Sequence, residues 1–186
     1  MTAIVYKDRT LYADDSSLIK SQSHGHTYFK SQPKFFSTAW MAIAITGPTV
    51  DFKSTEWLAF VLGPLLTELH KVDGIKNVRF TIPEGVLNKD HGAILITKDQ
   101  VFVMNPDTCV FIEEDPEVIQ TMGSEHLLLD YALKIMGKDV TEAYELVLRH
   151  SVIGFHTARN YQDMASLSPL PKALPEKKVR KKKVTG

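Results

Sequence analysis

The chain has a single cysteine, Cys109, among its 186 residues. An intrachain disulfide is excluded, and this cysteine usage fits a reducing, cytoplasmic setting. No apolar run approaches the roughly 18 residues a membrane-spanning helix requires, so no membrane association is expected. The opening Met1-Thr2-Ala3-Ile4-Val5 lacks a basic region leading into a long apolar one, and a secretory signal is not expected. There is no glycine-rich phosphate loop and no interleaving of basic and aromatic residues for RNA binding. Cys109 stands in no zinc-ligand spacing. His24-x-His26 could present two imidazoles on one face of a strand, but no third ligand lies nearby, and an exposed polar loop is the plainer reading. No cofactor and no metal are expected.

Net charge is also missing, with 22 basic and 22 acidic residues, yet the balance is uneven along the chain. Residues 172–186 hold seven of the bases and one acid, leaving 15 bases and 21 acids in the remainder. An acidic body therefore carries a basic tail. Within Ser166 to Pro175, where this tail begins, Pro169, Pro171 and Pro175 resist helix formation. The expected organisation is one domain over residues 1–159 and a flexible appendage over 160–186. Such a tail either solubilises the protein or attaches it to nucleic acid or an acidic partner surface.

With 44% hydrophobic residues, the body can bury a substantial core. Two β-type runs, residues 2–6 and 10–13, flank the polar Lys7-Asp8-Arg9 and predict a hairpin. Residues 16–33 read as a loop, with one strand near Thr27-Tyr28-Phe29. Phe35-Phe36 and the run Ala39 to Ile45 predict a second strand pair, ended by Thr46-Gly47-Pro48. From Ser54 to His70, apolar residues recur at helical spacing, with a kink expected at Gly63-Pro64. A strand is expected within Val78 to Ile82. Residues 93–97 and 100–104 flank Lys98-Asp99 as a hairpin, and residues 109–112 and 118–121 continue the strands.

Gly123-Ser124 then opens a helix with Leu127, Tyr131 and Ile135 beside Leu128, Ala132 and Met136 as its apolar stripe. Gly137 terminates it. Asp139-Val-Thr-Glu142 has the pattern of a capping box for another helix ending near His150. Residues 152–157 read as a last strand. This order suits an α+β protein in which two antiparallel sheets are sandwiched between helices, a four-layer αββα arrangement, although periodicity alone does not identify it.

The chemistry begins at the second residue. Methionine before a small residue is normally removed, which would leave Thr2 as a free N-terminus. A terminal threonine carries a hydroxyl nucleophile and, on the same residue, an amine of ordinary pKa about 7.7–8.0. That amine can take the hydroxyl proton and return it to a leaving group. By itself, a Met-Thr start is commonplace.

The residues around it form a pattern. Thr2-Ala-Ile-Val-Tyr leads to Tyr12-Ala13-Asp14; Lys34-Phe35-Phe36 follows; Gly47-Pro-Thr-Val-Asp51 ends a strand; and Thr121-Met-Gly-Ser124 precedes a helix. In this order, over about residues 2–157, the chain resembles proteasome β subunits. It also resembles the bacterial proteasome-like peptidase that works with an ATP-driven unfoldase, and more closely that enzyme's small phage-encoded homologues. The resemblance implies an N-terminal-nucleophile hydrolase fold with Thr2 as nucleophile. Lys34 would be an ammonium lowering the pKa of the Thr2 amine, and Asp14 would orient that lysine. The Gly47 amide would donate to the oxyanion, and Ser124 would bond the terminal amine or relay its proton. Lys30, followed by Ser31, is the weaker lysine candidate. The same residues also have ordinary readings: turn chemistry for Asp14-Asp15, a chain reversal for Gly47-Pro48, a helix N-cap for Ser124.

The resemblance further implies a homo-oligomeric ring of six or seven copies, stacked in pairs in many members, that takes unfolded polypeptide from an unfoldase. Four departures point the other way. His150 and Ile153 stand where the pattern has aspartate and serine, Glu125 stands where it has glycine, and Pro48 stiffens the segment after Gly47. The alternative is therefore an inactive structural or assembly protein, virion-associated if of phage origin, anchored by its basic tail. A hydrolase of non-peptide amides on the same fold is a third reading that the residues do not separate from the first.

Overall fold

The structure is a computed structural model that describes residues 3–14, 34–47, 63, 79–81, 87, 90–150 and 160–170 in full, and the backbone pairing of 16–20, 27–31 and 159. Two of the sequence-predicted features, the run 152–157 and the His24/His26 pair, lie outside these residues. So does the helix expected over 54–70, apart from Gly63, which is helical.

The N-terminal hairpin forms as expected. Strands β1 (Ala3–Lys7) and β2 (Thr10–Asp14) pair antiparallel. Their connection is Asp8-Arg9, both at positive φ (50° and 60°), the two-residue geometry whose twist matches that of the flanking strands. Strand β11 (Gln120–Gly123) pairs with the other side of β1, and β12 (Arg159–Asp163) with the other side of β2. The first sheet therefore runs β11-β1-β2-β12.

The second sheet has six strands in the order β5-β6-β8-β9-β10-β7. They are β5 (Phe35–Ser37), β6 (Met41–Thr46), β7 (Arg79–Thr81), β8 (Gly92–Thr97), β9 (Val101–Asn105) and β10 (Val110–Glu114). A separate hairpin joins β3 (Ser16–Lys20) to β4 (Thr27–Ser31), so the stretch 16–33 holds two strands where one was expected.

Side chains alternate between layers with the period of two that strands impose. Ile4, Tyr6, Leu11 and Ala13 of the first sheet pack on Ala42, Ala44, Ile94, Ile96 and Val101 of the second. From the same strands, Ala3 and Val5 point outward to the helices. Met41, Ile43, Ile45, Ala93 and Leu95 form a buried cluster on the far face of the six-stranded sheet. These central strands read as unbroken apolar runs because both of their faces are covered. The result is an α+β sandwich of two antiparallel sheets.

Helix α1 (His126–Asp130) continues into a π-helical segment (Tyr131–Ile135) and stops at Gly137, whose φ is +64°. Its buried face differs from the expected stripe. Leu129, Ala132 and Leu133 are buried against β1, while Leu127, Tyr131 and Ile135 face solvent. Three successive leucines offer more than one helical stripe, and the wider π turn changes which one meets the sheet. Helix α2 (Val140–His150) begins at a reciprocal capping box. The Glu142 amide donates to Asp139 Oδ1 at 2.8 Å, and the Asp139 amide to Glu142 Oε2 at 3.3 Å.

The domain extends further than the sequence suggested. Instead of starting a tail, residues 159–163 form β12, and the 3-10 turn Met164–Ser166 follows. Met164 and Leu167 are buried between the sheets, and the Ser168 amide bonds the Ala39 carbonyl at 2.8 Å. The polar Arg-Asn-Tyr-Gln-Asp run hid this strand, because an edge strand facing water needs few apolar residues. Residues 171–186 lie outside the described part.

Candidate active site

Four of the five predicted site residues converge at one end of the sandwich. Thr2, the fifth, lies outside the described residues, but its neighbour Ala3 is held from three directions. The Ala3 amide donates to Asp14 Oδ1 at 2.9 Å, and its carbonyl accepts from the Tyr144 hydroxyl at 2.9 Å. Across the β1–β11 ladder, Ala3 is paired with Gly123. Because that pairing is antiparallel, Ser124 leaves β11 on the side from which β1 begins.

Asp14 ends β2 with its side chain 2% exposed, and so lies alongside the start of β1. Lys34 precedes β5 and is also 2% exposed. Its Nζ donates to the Gly47 carbonyl at 3.1 Å, and its own carbonyl accepts from the Ile45 amide at 2.9 Å. Burial lowers the Lys34 pKa from the ordinary 10.5, and the Asp14 charge pulls in the opposite direction. A lysine is rarely this buried without charged or polar partners. Here it ties the beginning of the second sheet to the end of β6.

Gly47 follows β6 at φ +116°, in the region that favours glycine. A Cβ there would lie 2.5 Å from the Asp90 carbonyl oxygen and 3.0 Å from the His91 ring, so glycine is required twice over. Gly47 is nonetheless exposed, with its carbonyl fixed from the inside by Lys34. The two sheets meet just behind it. Thr46 pairs with Gly92, and a Cβ on Gly92 would collide with the Met122 side chain of β11. That close approach brings the Gly123-Ser124 end of the first sheet beside the Gly47 end of the second.

Ser124 is exposed and lies one residue ahead of the helix N-cap, which is Glu125. The capping reading of Ser124 is thus corrected: the Leu128 and Leu129 amides bond the Glu125 carbonyl. His126 and Asp130, four apart on the same helical segment, have separate partners. His126 Nδ1 lies 2.9 Å from the Gly123 carbonyl, whereas Asp130 accepts from Thr121 Oγ1 at 2.6 Å and pairs with Lys134 at 2.9 Å. Lys30 lies on β4 opposite Ser17. Pro48, Asp51 and Ile153 lie outside the described residues; His150 is the exposed last residue of α2.

Two residues of the site were missed from the sequence. Tyr144 looks like one more apolar member of α2 until its hydroxyl is found on the Ala3 carbonyl. His91 is buried with its ring against Gly47, and only the β6–β8 register puts it there.

Chemically, the corner offers a buried cation, a buried carboxylate and an exposed glycine beside the start of the N-terminal strand. The sandwich that builds it is the N-terminal-nucleophile hydrolase fold of proteasome-like proteins. The chain superimposes on HslV from Trypanosoma brucei with a TM-score of 0.53 at 13% identity, over 87% of this chain and 98% of that one. BPH of Thiobacillus denitrificans gives a TM-score of 0.46 at 14% identity, covering 88% and 97% of the two chains. Anbu of Hyphomicrobium sp. strain MC1, as a Gly-1 mutant, gives 0.47 at 12%, covering 87% and 80%. No protein-family model matches the chain, and no curated protein matches it in sequence.

Proposed function

We propose that the protein is a threonine peptidase whose nucleophile is Thr2, exposed as a free N-terminus by removal of Met1. The observation that carries this reading is the double use of Asp14. One carboxylate fixes the backbone of Ala3, next to Thr2, and acts on the charge of Lys34, whose ammonium holds Gly47. The described neighbour of the residue that would be the nucleophile is thus tied to the residues that would activate it.

In this mechanism the Thr2 amine accepts the proton of its own hydroxyl as Oγ1 attacks a peptide carbonyl. The Lys34 ammonium keeps that amine neutral by like-charge repulsion. The Gly47 amide donates to the oxyanion, a contact worth about 10²–10³ in rate. The amine then protonates the leaving nitrogen, and water hydrolyses the ester on Thr2. Ser124 relays or holds the proton at the terminal amine. The substrate class is unfolded polypeptide, delivered in a ring of copies by an ATP-driven unfoldase in the cytoplasm. The basic run 177–183 is a docking tail for nucleic acid or an acidic surface.

A second reading keeps the fold as an assembly scaffold without turnover, of phage origin or not. It is favoured by Glu125, which puts a carboxylate one residue from Ser124. Intact mass before and after treatment with an epoxyketone separates the two, because that probe requires a hydroxyl and a free amine on one residue. Loss of Met1 and one adduct, absent in Thr2→Ala, is the expected result. A retained Met1, or a processed chain without adduct, would overturn the peptidase reading.

A further inference from the structure

Strand β1 is fastened to helix α2 and its entry at both ends. At one end the Tyr144 hydroxyl donates to the Ala3 carbonyl at 2.9 Å, in the buried interior. At the other, Lys7 Nζ donates at 3.2 Å to the Lys138 carbonyl, two residues ahead of the helix. Between these bonds Ala3 and Val5 pack on Ala143, Tyr144 and Val147. The start of the helix is itself fixed by the Asp139–Glu142 capping box.

Packing alone does not call for the hydroxyl at position 144. A phenylalanine would fill the same space, and the net stability gained from one buried hydrogen bond is modest. What the bond adds is direction. The Ala3 amide belongs to the peptide plane that contains the Thr2 Cα, and the Ala3 carbonyl belongs to the next plane along the strand. Asp14 fixes the first plane and Tyr144 the second. The rotation of one plane against the other is set at Ala3, and with it the direction in which the chain reaches Thr2. The two bonds come from different layers, since Asp14 ends β2 and Tyr144 lies on α2.

We propose that Tyr144 is a positioning residue for the reaction at Thr2: its hydroxyl holds the Ala3 carbonyl so that the nucleophile is aimed at the Gly47 corner. The chemistry in this proposal rests on the peptidase reading, whereas the hold on Ala3 does not. Misplacing a reacting group by about 1 Å costs on the order of 10²-fold in rate, far more than the loss of one hydrogen bond costs the fold.

The test compares Tyr144→Phe with Tyr6→Phe in the full chain. The second variant is a matched control, because it removes a buried hydroxyl from the far part of the same strand, where Tyr6 donates to the Pro116 carbonyl at 2.8 Å. Epoxyketone titrations followed by intact mass give the maximal adduct rate and the half-saturating probe concentration. Tyr144→Phe should lower the maximal rate about 10- to 10²-fold and leave the half-saturating concentration within about twofold of wild type. Tyr6→Phe should leave both unchanged, while the denaturation midpoints of the two variants fall by similar small amounts. Hydrogen exchange across β1 is the second readout. Tyr144→Phe should speed exchange at the Ala3 amide about tenfold, and Tyr6→Phe should not. Equal adduct rates in wild type and Tyr144→Phe, or equal losses in both variants, would make the Tyr144 hydroxyl merely structural and overturn the proposal. A wild-type chain that takes no adduct would sink the peptidase reading instead, and exchange would then decide alone. Unchanged exchange at Ala3 in Tyr144→Phe would overturn the positioning role, and faster exchange confined to that variant would uphold the hold on the strand.

Discussion

Strands β6 and β8 run from one kind of interior to another. Through their middles every buried side chain is apolar: Ala42, Ile43, Ala44 and Ile45 against Ala93, Ile94, Leu95 and Ile96. At the end that leads into Gly47, the interior turns polar. Of the five buried polar side chains among the described residues, Asp14, Lys34, Thr46 and His91 are at this corner. The fifth, Thr97, sits at the opposite end of β8 and serves a turn, accepting the Gln100 amide at 3.1 Å. One region is built for cohesion, the other holds charge out of water. Burial of an ion costs more than its pairing returns, so an apolar pair would serve the fold as well or better. The corner's polarity therefore points to chemistry, and the two regions should respond to mutation in opposite ways.

The largest effect is expected at the polar corner. Replacing Lys34→Met together with Asp14→Asn removes both charges while keeping an acceptor for the Ala3 amide. Adduct formation at Thr2 should fall at least about 10³-fold, the scale on which paired catalytic groups act, while the midpoint of chemical denaturation holds or rises. A large loss of stability in this double variant would erase the contrast, because it would make the pair structural. The mirror experiment is Leu95→Ala in the apolar region. It should cost about 2–5 kcal/mol through lost contacts and a cavity, yet leave the adduct rate of the folded fraction unchanged.

Gly47→Ala crosses the boundary between the two regions and should injure both properties. Its φ of +116° and the Asp90 carbonyl leave no room for a methyl group. A stability loss of about 1–3 kcal/mol is expected from backbone strain. The reaction rate should drop by about 10²-fold as the proposed oxyanion donor moves. An intact rate in a destabilised protein would place the oxyanion elsewhere.

A smaller and more specific effect concerns pH. Burial lowers the Lys34 pKa from 10.5, so the ammonium is present only below that lowered value. The alkaline limb of reactivity should accordingly lie below 10.5, and Lys34→Arg should move it upward. Stability carries the opposite sign. Between the lowered pKa and 10.5 the unfolded chain binds more protons at this residue, so the contribution of Lys34 to stability rises with pH. Reactivity that falls while stability rises over one pH interval would identify this single group, as measured by adduct rate and denaturant midpoint.

Much of the sandwich was legible because alternation and turn chemistry are local. Asp8-Arg9 and Lys98-Asp99 sit between apolar runs, and both hairpins form where these pairs predict. The capping box at Asp139 was legible for the same reason. Lys34, Gly47 and Ser124 stood out as parts of a spaced pattern, although nothing local shows that Lys34 is buried. What escaped was set by tertiary register or by competing stripes. His91 reaches Gly47 only through the β6–β8 ladder, and Tyr144 reaches Ala3 only through the packing of α2 on the first sheet. β12 was hidden by its polar composition, and the face of α1 by its three adjacent leucines.

The smallest effect lies at the other end of β1, where a buried hydroxyl serves cohesion alone. Tyr6 is fully buried, and its hydroxyl donates to the Pro116 carbonyl at 2.8 Å, with Met164 Sδ 3.2 Å away. Burial raises its pKa to about 12 from 10.0. Tyr6 thus stabilises the fold fully below pH 10, and that contribution fades as pH rises toward 12, because the unfolded phenol ionises first. Tyr6→Phe keeps the ring in the core and loses the hydrogen bond, which should cost about 1 kcal/mol at neutral pH. Stability of the variant should also fall less steeply than that of the wild type above pH 10. The adduct rate at Thr2 should not change. If it does, the β1 strand transmits strain along its length to Ala3, and the polar corner depends on packing that the alternation of side chains alone would call independent.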